Sequence, residues 1–270
     1  MPAPTPQPVS LAENPLRVRM RAGQPVIGLT VRLGRGPEIA RVARGTGHDF
    51  LFLDAHHSVF NLETIVGICH AASAIGIVPL VRVRSLEDPD VALLLDNGAG
   101  GIVFPDVNSA AEARRGVDRC LFPPAGRRSV AGGYPQFDFR PVPVAQAAPA
   151  LNAATLVVCM VETAEGLANL EEIAAVPGVD VVHIGANDLL ASLGKAGQFD
   201  DPVVAQAMDR AIAATSRHGT FAGCGGNRDV ARQAAAVKRG VRFVTTQTDL
   251  GFLTAAANQW TGALRQALEG

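Results

Sequence analysis

Neither sign of charge dominates this 270-residue chain: 24 Lys and Arg face 25 Asp and Glu, for a net charge of −1. That balance removes the electrostatic case for a nucleic-acid partner or an anionic membrane surface. No apolar run reaches the roughly 18 residues needed to span a bilayer. The four cysteines, Cys69, Cys120, Cys159 and Cys224, form no CxxC pair and lack the spacing of a zinc site. Cys69 abuts His70, but neighbours on a helix point in different directions and are poorly placed to share a metal. Cys159 and Cys224 fall inside predicted strands, where a reduced Cys acts as a small hydrophobe; a cytoplasmic, disulfide-free protein is the expectation. The N-terminus, MPAPTPQPVSLAENP, lacks the apolar segment of a signal peptide, so residues 1–13 read as a flexible Pro-rich leader before a domain over 14–270.

What is present is a large apolar complement in regular order. Hydrophobic residues make up 48% of the chain, with 28 glycines and a mean hydropathy of +0.19, enough for one sizeable core. From Gln24 onward, short apolar runs without alternation recur between helical patterns, as strands buried on both faces of a parallel sheet do. They fall near 26–31, 49–54, 78–83, 101–105, 155–161, 180–185, 220–224 and 242–246. Eight such strands with helices between them predict an α/β fold, a single-domain (β/α)₈ TIM barrel. Helices are expected over about 37–46, 164–175 and 202–218, the last with Val204, Met208, Ala211 and Ile212 on one face. The connection from Asp118 to Leu151 contains PPAGRRSVAGGYPQFDFRPVP, too rich in Gly and Pro for regular structure, and its length predicts a place over or beside the site.

Ligands bind at the C-terminal ends of parallel strands, so the residues there carry the chemistry. The fifth strand ends in Glu162-Thr163, with Thr163 placed to cap the next helix, and the sixth ends in Gly185-Ala186-Asn187-Asp188. Two acids at adjacent strand ends repel each other in a poorly hydrated cleft unless a cation sits between them. A divalent metal meets that need, because Mg²⁺ takes one or two protein carboxylates and leaves its other positions to water and substrate. Without a metal, Glu162 is a helix N-terminal acid favoured by the macrodipole and Asp188 an N-cap. The second strand delivers Asp54-Ala55-His56-His57. An Asp three residues before a His can orient the imidazole and raise its basicity, making a general base; adjacent loop histidines can equally be incidental. Arg82, leaving the buried third strand, must find an anion because it cannot deprotonate, whereas Arg84 lies further out at the rim. After the first strand, Arg32 or Arg35 either faces an anionic substrate or is solvated. Asp96-Asn97-Gly98 is by itself a helix end with a Gly cap.

These blocks resemble the HpcH/HpaI aldolase family, class II pyruvate-dependent aldolases related to the citrate lyase β-subunit. The resemblance covers roughly residues 14–256, and DAHH, VPLVR, PPAGRRS and the stretch from ETAEG to GANDL carry it. It implies a metal-dependent carbon–carbon lyase that cleaves or forms a 4-hydroxy-2-oxo acid, with pyruvate and an aldehyde as the other side of the reaction. In that family's terms Glu162 and Asp188 hold Mg²⁺, Mn²⁺ or Co²⁺, and Gly185, Asn187 and Asp188 frame the substrate carboxylate at a helix N-terminus. Arg82 stabilises the enolate, and His57, oriented by Asp54, is the base. The resemblance also implies that Asp96 reaches a neighbouring subunit's site, that Arg127 or Arg128 helps close the site, and that the last helix is exchanged between protomers of a trimer or hexamer.

Two departures bear on the substrate. Met160 stands where relatives often have a Gln facing the ligand, which exchanges a hydrogen bond for an apolar contact and predicts an apolar or aromatic acceptor aldehyde. His56 stands where many relatives have Glu. The only lysines, Lys195 and Lys238, lie outside the predicted strand interiors, which disfavours a Schiff base. Two rival readings are a CoA-thioester lyase of the citrate lyase β-subunit and malyl-CoA lyase type, and a non-catalytic barrel that binds an oxo acid.

Overall fold

In the computed structural model, which describes residues 13–269, eight parallel strands close into one barrel in chain order, with helices outside linking each strand to the next. The strands are β1 (Val26–Val31), β2 (Phe50–Asp54), β3 (Val78–Arg82), β4 (Gly101–Phe104), β5 (Leu156–Val161), β6 (Val181–Gly185), β7 (Phe221–Gly225) and β8 (Phe243–Thr248). The expected TIM barrel is what forms, and each boundary lies within two residues of the one read from the sequence. Strands β2 to β6 are buried at every position, which explains why apolar runs revealed them. The Pro-rich leader falls almost wholly outside the described residues.

Side chains alternate in and out along each strand. The inward set includes Phe50, Phe52, Leu80, Val103, Val158, Met160 and Phe243, one continuous cluster filling the barrel. Gly28 has no room for a side chain there, since a Cβ would fall 2.1 Å from the Phe50 ring. The helix Pro15–Arg21 plugs the barrel at the N-terminal ends of the strands, adding Leu16 and Met20 to that cluster; full burial of such side chains stabilises by roughly 1.5–3 kcal/mol each. Asn14 caps this helix by accepting from the Leu16 N–H, and its Nδ2 donates to the carbonyls of Gly100 and Ala154. The barrel is therefore open only at the C-terminal ends of its strands.

The helix Pro202–His218 matches its expected span, while 164–175 divides into Ala164–Ala168 and Leu170–Ala174. The break is at Asn169, whose side chain leaves to donate to the Asn108 carbonyl at 2.8 Å.

The long connection differs from expectation in two ways. Part of it is regular, in the short 3-10 turn Pro135–Phe137 and the helix Val144–Ala154. It also joins a helix to the start of β5, so it lies at the plugged end and not over the mouth. Phe122, Tyr134, Phe137, Ala147 and Leu151 form a cluster of their own there. Arg127 and Arg128 consequently cannot close this chain's site. Arg128 Nη2 instead pairs with Asp96 Oδ1 at 2.5 Å, with its guanidinium 4.5 Å from the Phe122 ring. The final helix, Asp249–Glu269, buries no residue against its own barrel.

Candidate active site

The open mouth holds a cleft of about 230 Å³. Asp54, His57, Arg82, Met160, Glu162, Gly185, Asn187 and Asp188 all line it, whereas Arg127 and Arg128, expected to help close it, and Asp96, expected at a neighbouring subunit's site, do not. Arg32 also lines it; Arg35 packs over Phe60 instead, 3.9 Å from the ring centroid.

Asp54 and Arg82 are brought face to face by the β2–β3 register. Arg82 Nε and Nη2 donate to Asp54 Oδ1 and Oδ2 at 3.0 and 2.8 Å, a two-point clamp. Burial pushes the Asp54 carboxyl up, but the Arg82 hydrogen bonds and charge more than offset it and hold the group below its usual range. Arg82 Nη1 meets only Met160 Sδ, at 3.8 Å. Met160 thus belongs both to the barrel interior and to the cleft wall.

The expected Asp54–His57 imidazole bond does not form. Asp54 Oδ1 accepts from the His57 main-chain N–H at 3.1 Å, so the Asp shapes the turn while its carboxylate is engaged by Arg82. The His57 ring stacks on His56, with 4.3 Å between centroids and 13° between planes. Its basicity is not raised: burial and the Arg82 charge hold its pKa below the usual value, with Asp54 opposing only in part. The ring is neutral near neutral pH, which is the form that accepts a proton.

Glu162 is 2% exposed at the end of β5. Thr163 does cap the next helix, accepting from the Gly166 N–H at 3.0 Å. Glu162 Oε1 accepts from the Asp106 N–H at 3.0 Å, and Oε2 is buried without a partner. Burial pushes this carboxyl up to about 7, the Asp106 and Asp188 charges adding to the effect. Gly185 is required beside it, since a Cβ there would fall 2.3 Å from Glu162 Oε2. Asp188 is not an N-cap: Gly185 holds that position and Asp188 sits exposed in the first turn of Ala186–Ser192, without a capping bond. Neither Glu162 nor Asp188 has an ion pair among the described residues. An orphaned carboxylate oxygen beside a second free carboxylate fits a hard divalent cation. Among the described residues no three His, Cys, Asp or Glu side chains surround one point, but two carboxylates completed by water and substrate are a usual Mg²⁺ arrangement.

Sequence reasoning passed over three residues. Asp106, with φ +52, follows β4 and supplies both the N–H to Glu162 and a neighbouring charge. Arg228 enters the cleft from the loop after β7. His183 is 1% exposed yet lines the cleft, its Nδ1 has no partner, and burial with the Arg82 charge pushes its pKa down to about 3, so the ring is neutral. Gly225 makes space for it, since a Cβ there would lie 2.5 Å from His183 Nε2. Its signal was present: it lies two residues before Gly185 and so shares the inward face.

The sequence profile of the HpcH/HpaI aldolase/citrate lyase family matches residues 32–256, spanning β2 to β8 with the mouth residues from Arg32 to Asp249. The chain belongs to that family. It is a carbon–carbon lyase. It is 37% identical over 257 residues, 93% of this chain and 95% of the relative, to the 4-hydroxy-4-methyl-2-oxoglutarate aldolase tasA of Hapsidospora irregularis. It is 34% identical to a hydroxypyruvate/pyruvate aldolase of Paraburkholderia phytofirmans, covering 93% of this chain and 97% of the other. The HpcH/HpaI aldolase structure from Desulfitobacterium hafniense DCB-2 superposes with a TM-score of 0.88 at 29% identity, covering 94% of this chain and 97% of that one.

Proposed function

We propose that this protein is a divalent-metal-dependent aldolase acting on a 4-hydroxy-2-oxo acid, making or breaking the bond between a pyruvate unit and a carbonyl acceptor. The observation that carries this reading is the unpartnered Glu162 Oε2 in one cleft with Asp188 and with a pinned Arg82 whose Nη1 has only the Met160 thioether as partner. Glu162 and Asp188 would hold Mg²⁺, Mn²⁺ or Co²⁺, which when bound supplies Lewis acidity toward the carboxylate and ketone oxygens of the oxo acid. Arg82 stabilises the negative charge that develops on the ketone oxygen, and Asp54 fixes it in place so that little reorganisation is needed. His57, neutral at the rim, takes the proton of the aldol hydroxyl in the cleavage direction and returns it in synthesis. Gly226 keeps the space before the Ala186 and Asn187 N–H groups open, since a Cβ there would come within 3.2 and 3.0 Å of them; these amides suit the substrate carboxylate.

The names of the relatives support an oxo-acid substrate. The four free, buried thiols support a cytoplasmic setting, where cysteines stay reduced. Leu250, Phe252, Leu253, Trp260 and Leu264 stand exposed on the last helix, which supports a homo-oligomer that covers it.

The test is pyruvate release from a panel of 4-hydroxy-2-oxo acids. EDTA should abolish turnover, the three cations should restore it, and Glu162→Ala and Asp188→Ala should each lose metal binding while keeping the fold. Full activity in a chelated, metal-free preparation would exclude the mechanism.

A further inference from the structure

One imidazole interrupts the apolar filling of the barrel at the floor of the cleft. His183 points inward from β6 among Phe52, Met160, Val181 and Phe243, and the roles already given to Asp54, His57, Arg82 and Glu162 leave it unused. A side chain that only filled space there would be apolar like its neighbours, because a polar group taken out of water without a partner is costly. Yet the ring is 1% exposed, and its Nδ1 is buried with no hydrogen bond.

The neighbouring strand is cut away to admit this ring. β7 runs beside β6 with Gly223 in register with His183, and a Cβ at Gly223 would fall 2.7 Å from Nδ1. Gly225, one inward position nearer the mouth, would place a Cβ 2.5 Å from Nε2. The ring therefore stands along the barrel axis, with Nδ1 toward the interior and Nε2 toward the cleft. Phe243 packs edge-on against it, with 5.5 Å between centroids and 87° between planes. A proton on Nδ1 would be a buried donor without an acceptor, whereas one on Nε2 faces the cleft, so the ring carries its proton on Nε2. Burial and the Arg82 charge keep that ring uncharged.

Arg82 and His183 share their neighbours. Met160, whose Sδ lies 3.8 Å from Arg82 Nη1, is the register partner of His183 on β5. The Phe52 ring centroid lies 5.5 Å from the Arg82 guanidinium carbon and 6.4 Å from the His183 ring. Two N–H donors without an oxygen acceptor thus meet at one place, one cationic and one neutral. A neutral imidazole held as a donor can polarise a carbonyl.

We propose that His183 is a catalytic residue whose Nε2–H donates a hydrogen bond to the C2 oxygen of the pyruvate half of the substrate, beside Arg82 Nη1. This rests on the aldolase reading for the identity of the substrate. In cleavage the C3–C4 bond breaks, its electron pair becomes the C2–C3 double bond, and negative charge passes to the C2 oxygen, while the 4-hydroxyl proton goes to His57. The His183 hydrogen bond strengthens as that charge develops, and the ring keeps its proton throughout.

Two measurements test this, the first without turnover. In protein carrying ¹⁵N-labelled histidine, the His183 signals, assigned by their loss in His183→Phe, should show the neutral Nε2–H ring between about pH 5 and 8. Adding Mg²⁺ and oxalate, a planar mimic of the pyruvate enolate, should shift the Nε2–H proton downfield as it enters a charge-assisted hydrogen bond. The second is exchange of the C3 protons of pyruvate for solvent deuterium with Mg²⁺ present, which needs only the pyruvate half of the reaction. His183→Phe should lower its kcat by about 10² to 10³, the usual worth of one such donor, with KM changed far less. His183→Gln, which restores a neutral donor, should recover part of the loss. A role in packing alone would lower stability and leave kcat per folded molecule unchanged. That result, an Nε2–H signal unmoved by oxalate, or a wild-type protein that exchanges no protons overturns the proposal. Failure of the aldolase reading would show itself separately, as exchange that continues while no 4-hydroxy-2-oxo acid releases pyruvate.

Discussion

Two arginine–aspartate pairs sit at opposite ends of the same barrel and are completed differently. At the plugged end, Arg17 Nε and Nη2 bind Asp180, Nη1 and Nη2 reach the carbonyls of Ala153 and Thr155, and Asp180 Oδ2 also takes the Val157 N–H. At the open end Arg82 spends Nε and Nη2 on Asp54 and has only a thioether for Nη1. Around it Glu162 Oε2, His183 Nδ1 and Arg32 Nε are buried without partners. Buried polar groups are normally satisfied, so three incomplete ones lining a single open cleft mark where something else binds. The closed pair holds the fold together; the incomplete one is available for chemistry. This agrees with the general division of a TIM barrel into a stabilising N-terminal face and a reactive C-terminal face.

The contrast can be broken most directly at His57. His57→Ala should lower kcat by about 10² to 10⁴, the usual worth of a general base, and His56→Ala far less, because only His57 lines the cleft. Equal losses would place the base on the wrong ring. Because its pKa lies below the ordinary 6.5, the wild-type kcat/KM should hold down past about pH 6.5 and fall on further acidification. That acid limb should vanish in His57→Ala.

At the other end, Arg17→Ala strands a buried Asp180 carboxylate and should cost roughly 3–5 kcal/mol in denaturant unfolding, with kcat per folded molecule unchanged. A loss of turnover at full stability would reverse the roles of the two ends. Glu162 should show a comparable stability effect of its own in chelated protein. With a folded-state value of about 7 against 4.5 ordinarily, the folded state keeps a proton there that the unfolded chain releases. Its contribution therefore weakens stability as pH rises from about 4.5 to 7, by about 3 kcal/mol. Thermal melts of Glu162→Gln should lose that dependence; identical pH curves for wild type and variant would refute it.

The smallest effect is expected at Met160. Met160→Gln puts an amide oxygen within reach of Arg82 Nη1 or a bound oxo acid, which should alter pyruvate affinity by up to about tenfold, in the tighter direction. An unchanged affinity would assign Met160 to the barrel interior alone.

The strand ends made most of the site legible. Apolar runs located β5 and β6, and the first acids beyond such runs, Glu162 and Asp188, had to emerge at the mouth of any parallel barrel. Arg82 and Asp54 were visible for the same reason, but their pairing was not. The spacing from Asp54 to His57 is satisfied equally by a bond to the ring or to the main chain. Only the register that sets Asp54 opposite Arg82 decides which, because the guanidinium claims both oxygens. Arg228 had no local signal at all: a loop arginine after two glycines looks like any solvated one until the barrel closes and sets β7 near β1.

The sequence by itself determined the barrel, its strand positions, the capping of the helix after Glu162 and the strand-end residues Asp54, Arg82, Glu162 and Asp188 at the mouth. Those depend on periodicity and on local chain chemistry, which each segment carries alone. Tertiary structure decided that the Gly- and Pro-rich connection lies at the plugged end, that Asp54 serves Arg82, that His183 is a neutral interior ring, and that the arginines from β1, β3 and β7 share one cleft. Each of these is set by which distant segments meet, and closing the barrel is what sets burial, partners and charge balance together.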